Sequence, residues 1–145
     1  MTGTTPPAAP TSVELMDQLA QAAAAYYRSF ATVAAARGLT LMQGKMLSLL
    51  RRPVPMRTLA ELLACDASNV TGIVDRLEGH GLVRREADPA DRRIKRVTLT
   101  EEGERTVREI RAELLTTLGG LDDLGDRDRR TLQRVLGRLF PAGTD

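Results

Sequence analysis

Ser68, Asn69, Gly72, Asp75 and Arg76 lie on the outward side of one helical repeat whose inward positions are Val70, Ile73, Val74 and Leu77, and Thr71 lies with Ser68 and Asn69 in its first turns. Short amides and hydroxyls on such a face suit hydrogen bonding to base edges, and an asparagine can pair an adenine through both its amide oxygen and nitrogen. Free amides at the start of the helix also attract a phosphate. Ser68 and Asn69 can equally act only as capping groups, so each carries two readings. Further on, Asp88-Pro89-Ala90-Asp91-Arg92-Arg93 sets two arginines at or near the tip of a turn. An arginine there can enter a minor groove, where the negative potential is strongest when the groove is narrow. From Arg76 to Arg96 seven basic residues stand against four acidic ones, although the whole chain has a net charge of only +2. A basic strip on a nearly neutral body fits a footprint on phosphates; a solvated charged hairpin is the plain alternative.

The elements that must hold these groups occupy Met56 to Leu99. Leu59, Leu62 and Leu63 mark a short first helix, Ala64-Cys65-Asp66 breaks it, and Asp66 is a natural N-cap for the outward-facing second helix. After Gly79-His80-Gly81 the period changes from helical to alternating, so Leu82–Ala87 and Ile94–Leu99 read as two strands of a hairpin. Two helices joined by a tight turn, the second polar on its outer side, form the helix-turn-helix used to read a major groove, and a basic hairpin beside it is a wing. Arg84, Arg85, Lys95 and Arg96 are further phosphate candidates, but strand alternation lets only some of them face a duplex.

The runs Asn69-Val70-Thr71-Gly72-Ile73-Val74-Asp75-Arg76-Leu77-Glu78, Gly81-Leu82-Val83, Asp88-Pro89-Ala90-Asp91-Arg92-Arg93 and Leu99-Thr100-Glu101-Glu102-Gly103 closely resemble MarR-type transcriptional regulators. The resemblance extends over nearly the whole chain, and the wing motif followed by Leu-Thr-Glu-Glu-Gly is its most specific part. It implies a mainly α fold with a small β-hairpin wing: a winged helix-turn-helix region at 40–100, flanked by dimerisation helices at 11–38 and 101–141. It implies a cytoplasmic homodimer that binds double-stranded DNA as a repressor of a pseudo-palindromic operator. By the same resemblance Arg93 is the minor-groove residue and Arg92 lies beside the backbone. Arg76 is either a phosphate contact or, as the family pattern favours, the partner of Asp91 in a helix-to-wing salt bridge. A small aromatic or anionic effector is implied between the dimerisation helices and the winged region, with Tyr26, Tyr27, Phe30, Met42 and Met46 as lining residues; ordinary core is the competing reading of each.

Outside this region the chain is scaffold. Thr11-Ser12-Val13-Glu14 and Thr40-Leu41-Met42-Gln43 are capping boxes that open two helices, the first long and ended by Gly38. A helix of that length in so short a chain is expected to pack partly on a second copy. Arg51-Arg52-Pro53-Val54-Pro55 reads as a rigid break. Thr100 opens a second long helix with Val107, Ile110, Leu114 and Leu118 as its stripe. Gly119-Gly120 interrupts it, and Asp126 can cap a last amphipathic helix carrying Leu132, Val135, Leu136, Leu139 and Phe140. Residues 1–10 read as a disordered tail, and 11–145 as one domain.

Composition narrows the function classes. The 145 residues suffice for one core, which must be aliphatic because only 3% of residues are aromatic. No apolar run reaches the ~20 residues of a membrane span. The single Cys65 forbids an internal disulfide and fits a reducing compartment. Close to a helix start it is either a redox-active thiol or a small residue at a tight corner. His80 and Cys65, fifteen residues apart, make no metal site, and no nucleophile–base pair or phosphate-cradling glycine loop stands out. Neither a cofactor nor catalysis is expected. The alternatives to a ligand-released repressor are a redox-sensing regulator acting through Cys65 and an architectural or protein-interaction winged helix without sequence readout.

Overall fold

A computed structural model describes residues 7–141; positions 1–6 of the expected tail at 1–10, and positions 142–145, lie outside the described residues. The capping signals set the helix starts. Thr11 accepts from the Glu14 amide while the Glu14 carboxylate accepts from the Thr11 amide, opening α1 (Ser12–Ala35). Thr40 and Gln43 do the same for α2 (Leu41–Leu49). The chain then passes through β1 (Val54–Pro55) and α3 (Met56–Leu63), takes a left-handed turn at Ala64, and enters α4 (Ala67–Gly79) under the Asp66 cap. The hairpin strands are β2 (Val83–Ala87) and β3 (Lys95–Leu99). Thr100 caps α5 (Glu101–Thr117) through the Gly103 amide, and a 3-10 turn at Gly119–Leu121 leads to α6 (Asp126–Leu139).

Two sequence expectations are corrected. Arg51–Pro55 is not only a break: Val54 and Pro55 pair antiparallel with Val97 and Arg96, so the hairpin grows into a three-stranded sheet of order β1-β3-β2. Proline is tolerated there because β1 is an edge strand. At α6 the N-cap is Gly125, and Asp126 is the first helical residue, where its charge faces the positive helix end without a capping bond.

The core sits under α4. Met46, Leu47, Leu59, Val70, Val74, Leu77, Val83, Val97 and Ile110 are all sealed from solvent, joined by Phe30, Val33 and Ala34 from the last turns of α1. Burying each such aliphatic side chain contributes about 1.5–3 kcal/mol, so this cluster fixes α4 and the hairpin on a common floor. Two glycines allow the closest approaches. A methyl group on Gly44 would lie 2.6 Å from Phe30, and one on Gly103 would lie 2.0 Å from the Leu82 carbonyl oxygen. The Gly103 contact, with the Thr100 hydroxyl donating to the Gly81 carbonyl at 2.6 Å, welds the start of α5 to the base of the hairpin. At the other end of the chain, α1 before Phe30 and the whole of α6 bury no residue.

Candidate nucleic-acid interface

The outward side of α4 has the composition its spacing predicts: Ser68, Asn69, Thr71, Gly72, Asp75 and Arg76 are all exposed, and Ile73 is half-buried against the core. The Asp66 carboxylate accepts from the Asn69 amide and the Ser68 hydroxyl, both at 2.8 Å, and these bonds hold its carboxyl below the usual aspartate range, the backbone bond first. Ser68 is thus engaged in capping, and the Thr71 hydroxyl donates back to the Ala67 carbonyl. The Asn69 side-chain amide has no hydrogen-bond partner among the described residues. It borders a hollow of about 390 Å³ lined by Thr40, Met42, Gln43, Gly72, Ile73 and Arg76, which runs from α4 to the start of α2.

The hairpin is shaped by its aspartates. Asp88 accepts from the Ala90 amide at 2.8 Å, closing the turn after Pro89. Asp91 accepts from the Arg93 amide, its Nε and its Nη2 at 3.0–3.1 Å. That contact holds the Asp91 carboxyl below, and the Arg93 guanidinium above, their ordinary values. Arg93 remains 91% exposed at the tip, with Nη1 unengaged. Arg92 beside it is exposed and makes no ion pair among the described residues.

The expected Arg76–Asp91 bridge is not formed. Asp91 is taken by Arg93 of its own turn, and Arg76 makes no side-chain hydrogen bond among the described residues. A different residue ties helix to wing. Arg85 reaches from β2 to Asp75 with Nη2 and to Glu78 with Nη1 at 2.8 Å, and its own amide donates to Glu78 at 3.2 Å. Strand alternation explains the choice. Arg85, Ala87, Lys95 and Val97 share the sheet face toward α4, while Arg84, Glu86, Arg96 and Thr98 share the other. On that far face Arg96 is neutralised by Glu86 at 2.8 Å. Lys95, Arg92 and Arg93 are the cations that stay on the exposed rim. Nothing in local spacing marks Arg85 as the strap; its partners Asp75 and Glu78 are one turn apart on α4, which is the only sequence sign of it.

The five residues proposed for an effector do not line one cavity. Phe30 and Met46 are core, Met42 borders the hollow beside Asn69, and Tyr26 and Tyr27 lie on the open side of α1. There Tyr26 stacks edge-on to Tyr27 and Phe30, and Lys45 sits 4.3 Å over the Tyr27 ring. A different hollow, of about 290 Å³, opens between the end of α2 and α5. Leu47, Leu50, Leu99 and Val107 form its floor, with Arg51, Arg108, Arg111 and Glu104 around it. Cys65 is half-buried at the α3–α4 corner and packed against the core.

Two packed helices with the second turned outward, flanked by a basic hairpin strapped to it, define a winged helix-turn-helix protein. The model of the MarR family matches residues 39–95, from the end of α1 to the hairpin. Over 48 residues the chain is 48% identical to the HTH-type transcriptional regulator YsmB of Bacillus subtilis; the match spans 33% of this chain and 32% of that protein's length. Among solved structures it is similar to RV1404 from Mycobacterium tuberculosis, with 30% identity over 97% of this chain and all of the other and a TM-score of 0.68. It is also similar to CouR from Rhodococcus jostii RHA1 bound to p-coumaroyl-CoA, with 26% identity over 95% of this chain and all of the other and a TM-score of 0.75. The chain's winged region thus matches the MarR family model, and the chain is similar over 94% of its length to a MarR-family transcriptional regulator from Rhodococcus sp. RHA1 at 25% identity and a TM-score of 0.72. No described helix is long and apolar enough to cross a membrane.

Proposed function

We propose that this protein is a cytoplasmic homodimeric repressor that reads a pseudo-palindromic operator and releases it when a small anionic molecule binds. The observation that carries the reading is the Arg85 strap to Asp75 and Glu78, which holds the arginine-tipped hairpin in fixed relation to α4, the helix that bears Asn69. In this reading α4 lies in a major groove with Asn69, Ser68 and Thr71 over base edges. The Arg93 guanidinium enters the adjacent minor groove with Nη1 leading, while Asp91 keeps it pointed. Arg92, Lys95 and Arg76 neutralise phosphates, and Arg96, paired to Glu86, contributes least. A two-fold axis sets two such units about one DNA turn apart.

The three arginines around an apolar floor between α2 and α5 suit a flat apolar body bearing an anionic group. CouR is a relative bound to such a molecule, p-coumaroyl-CoA. Occupancy there would act by preferring a half-site spacing that the operator does not match. Competition gel shifts with DNA from upstream of the chain's own gene test the reading. Scrambled DNA competing as well as the native segment would overturn sequence readout and favour an architectural module.

A further inference from the structure

The outer side of α6 carries a charge pattern that the winged site does not use. Arg127, Arg130, Arg134 and Arg138 follow one another by three, four and four residues. At 100° per residue they fall within an arc of about 80°, opposite the arc of Leu132, Val135, Leu136 and Leu139. All four are exposed, and none makes an ion pair among the described residues. Arg129, off this stripe, is the one turned back into the preceding loop, donating to the Leu124 and Asp122 carbonyls. No carboxylate occurs from Arg129 to Phe140.

An ordinary solvated helix face mixes its signs. α5 does so in this chain, pairing Arg105 with Glu102 and Glu109. Like charges four apart repel by a few tenths of a kcal/mol each, so the α6 stripe works against its own helix. No other side chain falls within the arginine arc; Thr131 and Gly137 flank it by about 20°, and Asp126 of the first turn lies about 40° from Arg130. A protein partner would be met by an apolar or aromatic centre, which is missing. A phosphate backbone is met by arginine and hydroxyl groups, which is what the stripe and Thr131 beside it offer. The stripe runs about 16 Å, matching the rise of about five phosphates of one strand. It joins the fold through the far end of α5, about 25 Å along that helix from the Thr100 end that holds the hairpin. The stripe therefore lies well away from the hairpin.

We propose that the outer face of α6 is a second, sequence-independent nucleic-acid surface, which binds the phosphate backbone of a duplex segment separate from the one under α4. The protein would then bridge two DNA segments. The inference rests on the proposed dimer only in that the apolar side of α6 is covered and its arginine side left open.

The test uses the full chain and random-sequence 40-base-pair duplexes, one immobilised and one fluorescent. Wild type retains the fluorescent duplex on the immobilised one. The variant with all four arginines changed to glutamine loses that retention at least tenfold while its binding to a single duplex stays within about twofold. Changing the same four to lysine restores bridging, since charge is what the backbone reads. On a background of N69A, R92Q and R93Q, which disables the winged face, residual duplex binding keeps a salt slope that falls by about 3 to 4 when the stripe is neutralised, at about 0.9 per phosphate contact. Glutamine is as good a helix former as arginine, and size-exclusion chromatography checks that the dimer is intact. Unchanged bridging in the glutamine variant overturns the proposal, as does displacement of the second duplex by polyglutamate at lower charge concentration than by DNA, which would point to an acidic protein. Residual duplex binding by the N69A, R92Q and R93Q variant that disappears when the four α6 arginines are changed to glutamine would support the α6 surface on its own; failure of the α6 arm alone leaves the winged reading standing.

Discussion

At the scale of single residues, the proposed interface divides into groups that would specify and groups that would position. The Asn69 side-chain amide is unengaged among the described residues, so Asn69→Ala removes donor and acceptor together without disturbing the cap, which uses the Asn69 backbone amide. Its expected cost is about 1–3 kcal/mol of discrimination, measured as a roughly tenfold fall in the operator-to-scrambled affinity ratio. Arg92→Gln should instead weaken binding to all sequences alike and lower the slope of log affinity against log salt by about 0.9. Asp66 supplies the pH behaviour of the helix. Its folded-state pKa lies below the ordinary 3.8, so the stability it provides is complete above that value and is lost as pH falls through the lowered one. Asparagine caps as well but does not titrate. Asp66→Asn should therefore melt like wild type near neutral pH and lose less stability than wild type on acidification below pH about 4. A wild-type-like acid dependence in thermal melts of the variant would remove Asp66 from the account.

At the scale of elements, the decisive feature is the Arg85 strap. Neutralising it in Arg85→Gln leaves Asp75 and Glu78 as uncompensated carboxylates beside the groove-facing side of α4 and frees the hairpin to swing. The expected result is about a tenfold loss of operator affinity, near 1.4 kcal/mol, with faster amide exchange in β2 and β3. Because the Arg85 guanidinium is engaged by carboxylates, the salt slope should stay as in wild type, unlike Arg92→Gln. What was legible in the sequence follows the same division between local and distant. Caps at Thr11, Thr40, Asp66 and Thr100 act within three residues and were readable as spacing. The apolar stripe of α4 was readable as a period. The strap was not, since Arg85 meets α4 only after the hairpin folds back, and the family pattern pointed to Arg76 and Asp91 instead. Nor was β1, whose two residues gain their identity from Val97 and Arg96, over forty positions away. Asp126 carried the right residue type for a cap, one position too late.

At the scale of the molecule, the proposed dimer bears on the apolar side chains that the fold leaves exposed. Its core takes in α2 to α5 and the end of α1, while Val13, Leu15, Met16 and Leu19 on α1 and Leu132, Val135, Leu136 and Leu139 on α6 stay exposed. A helix of fourteen residues is marginal in water alone, yet α6 has no buried side chain to hold it. In the proposed dimer, a second copy covering these stripes would supply both the missing burial and the two-fold axis that an operator half-site pair needs. Leu132→Asp with Leu136→Asp should therefore weaken the dimer about a thousandfold or more, since four leucines per dimer each lose about 1.5–3 kcal/mol of burial. The core lies elsewhere, so the variant's α2-to-α5 region should remain folded by near-neutral thermal melting while sedimentation shows monomers at micromolar concentration. Operator affinity should then fall to that of one half-site. A variant that stays dimeric and binds as before would mean that α6 is not the two-fold contact, and the pairing of recognition helices would have to be built from α1 and α5 alone.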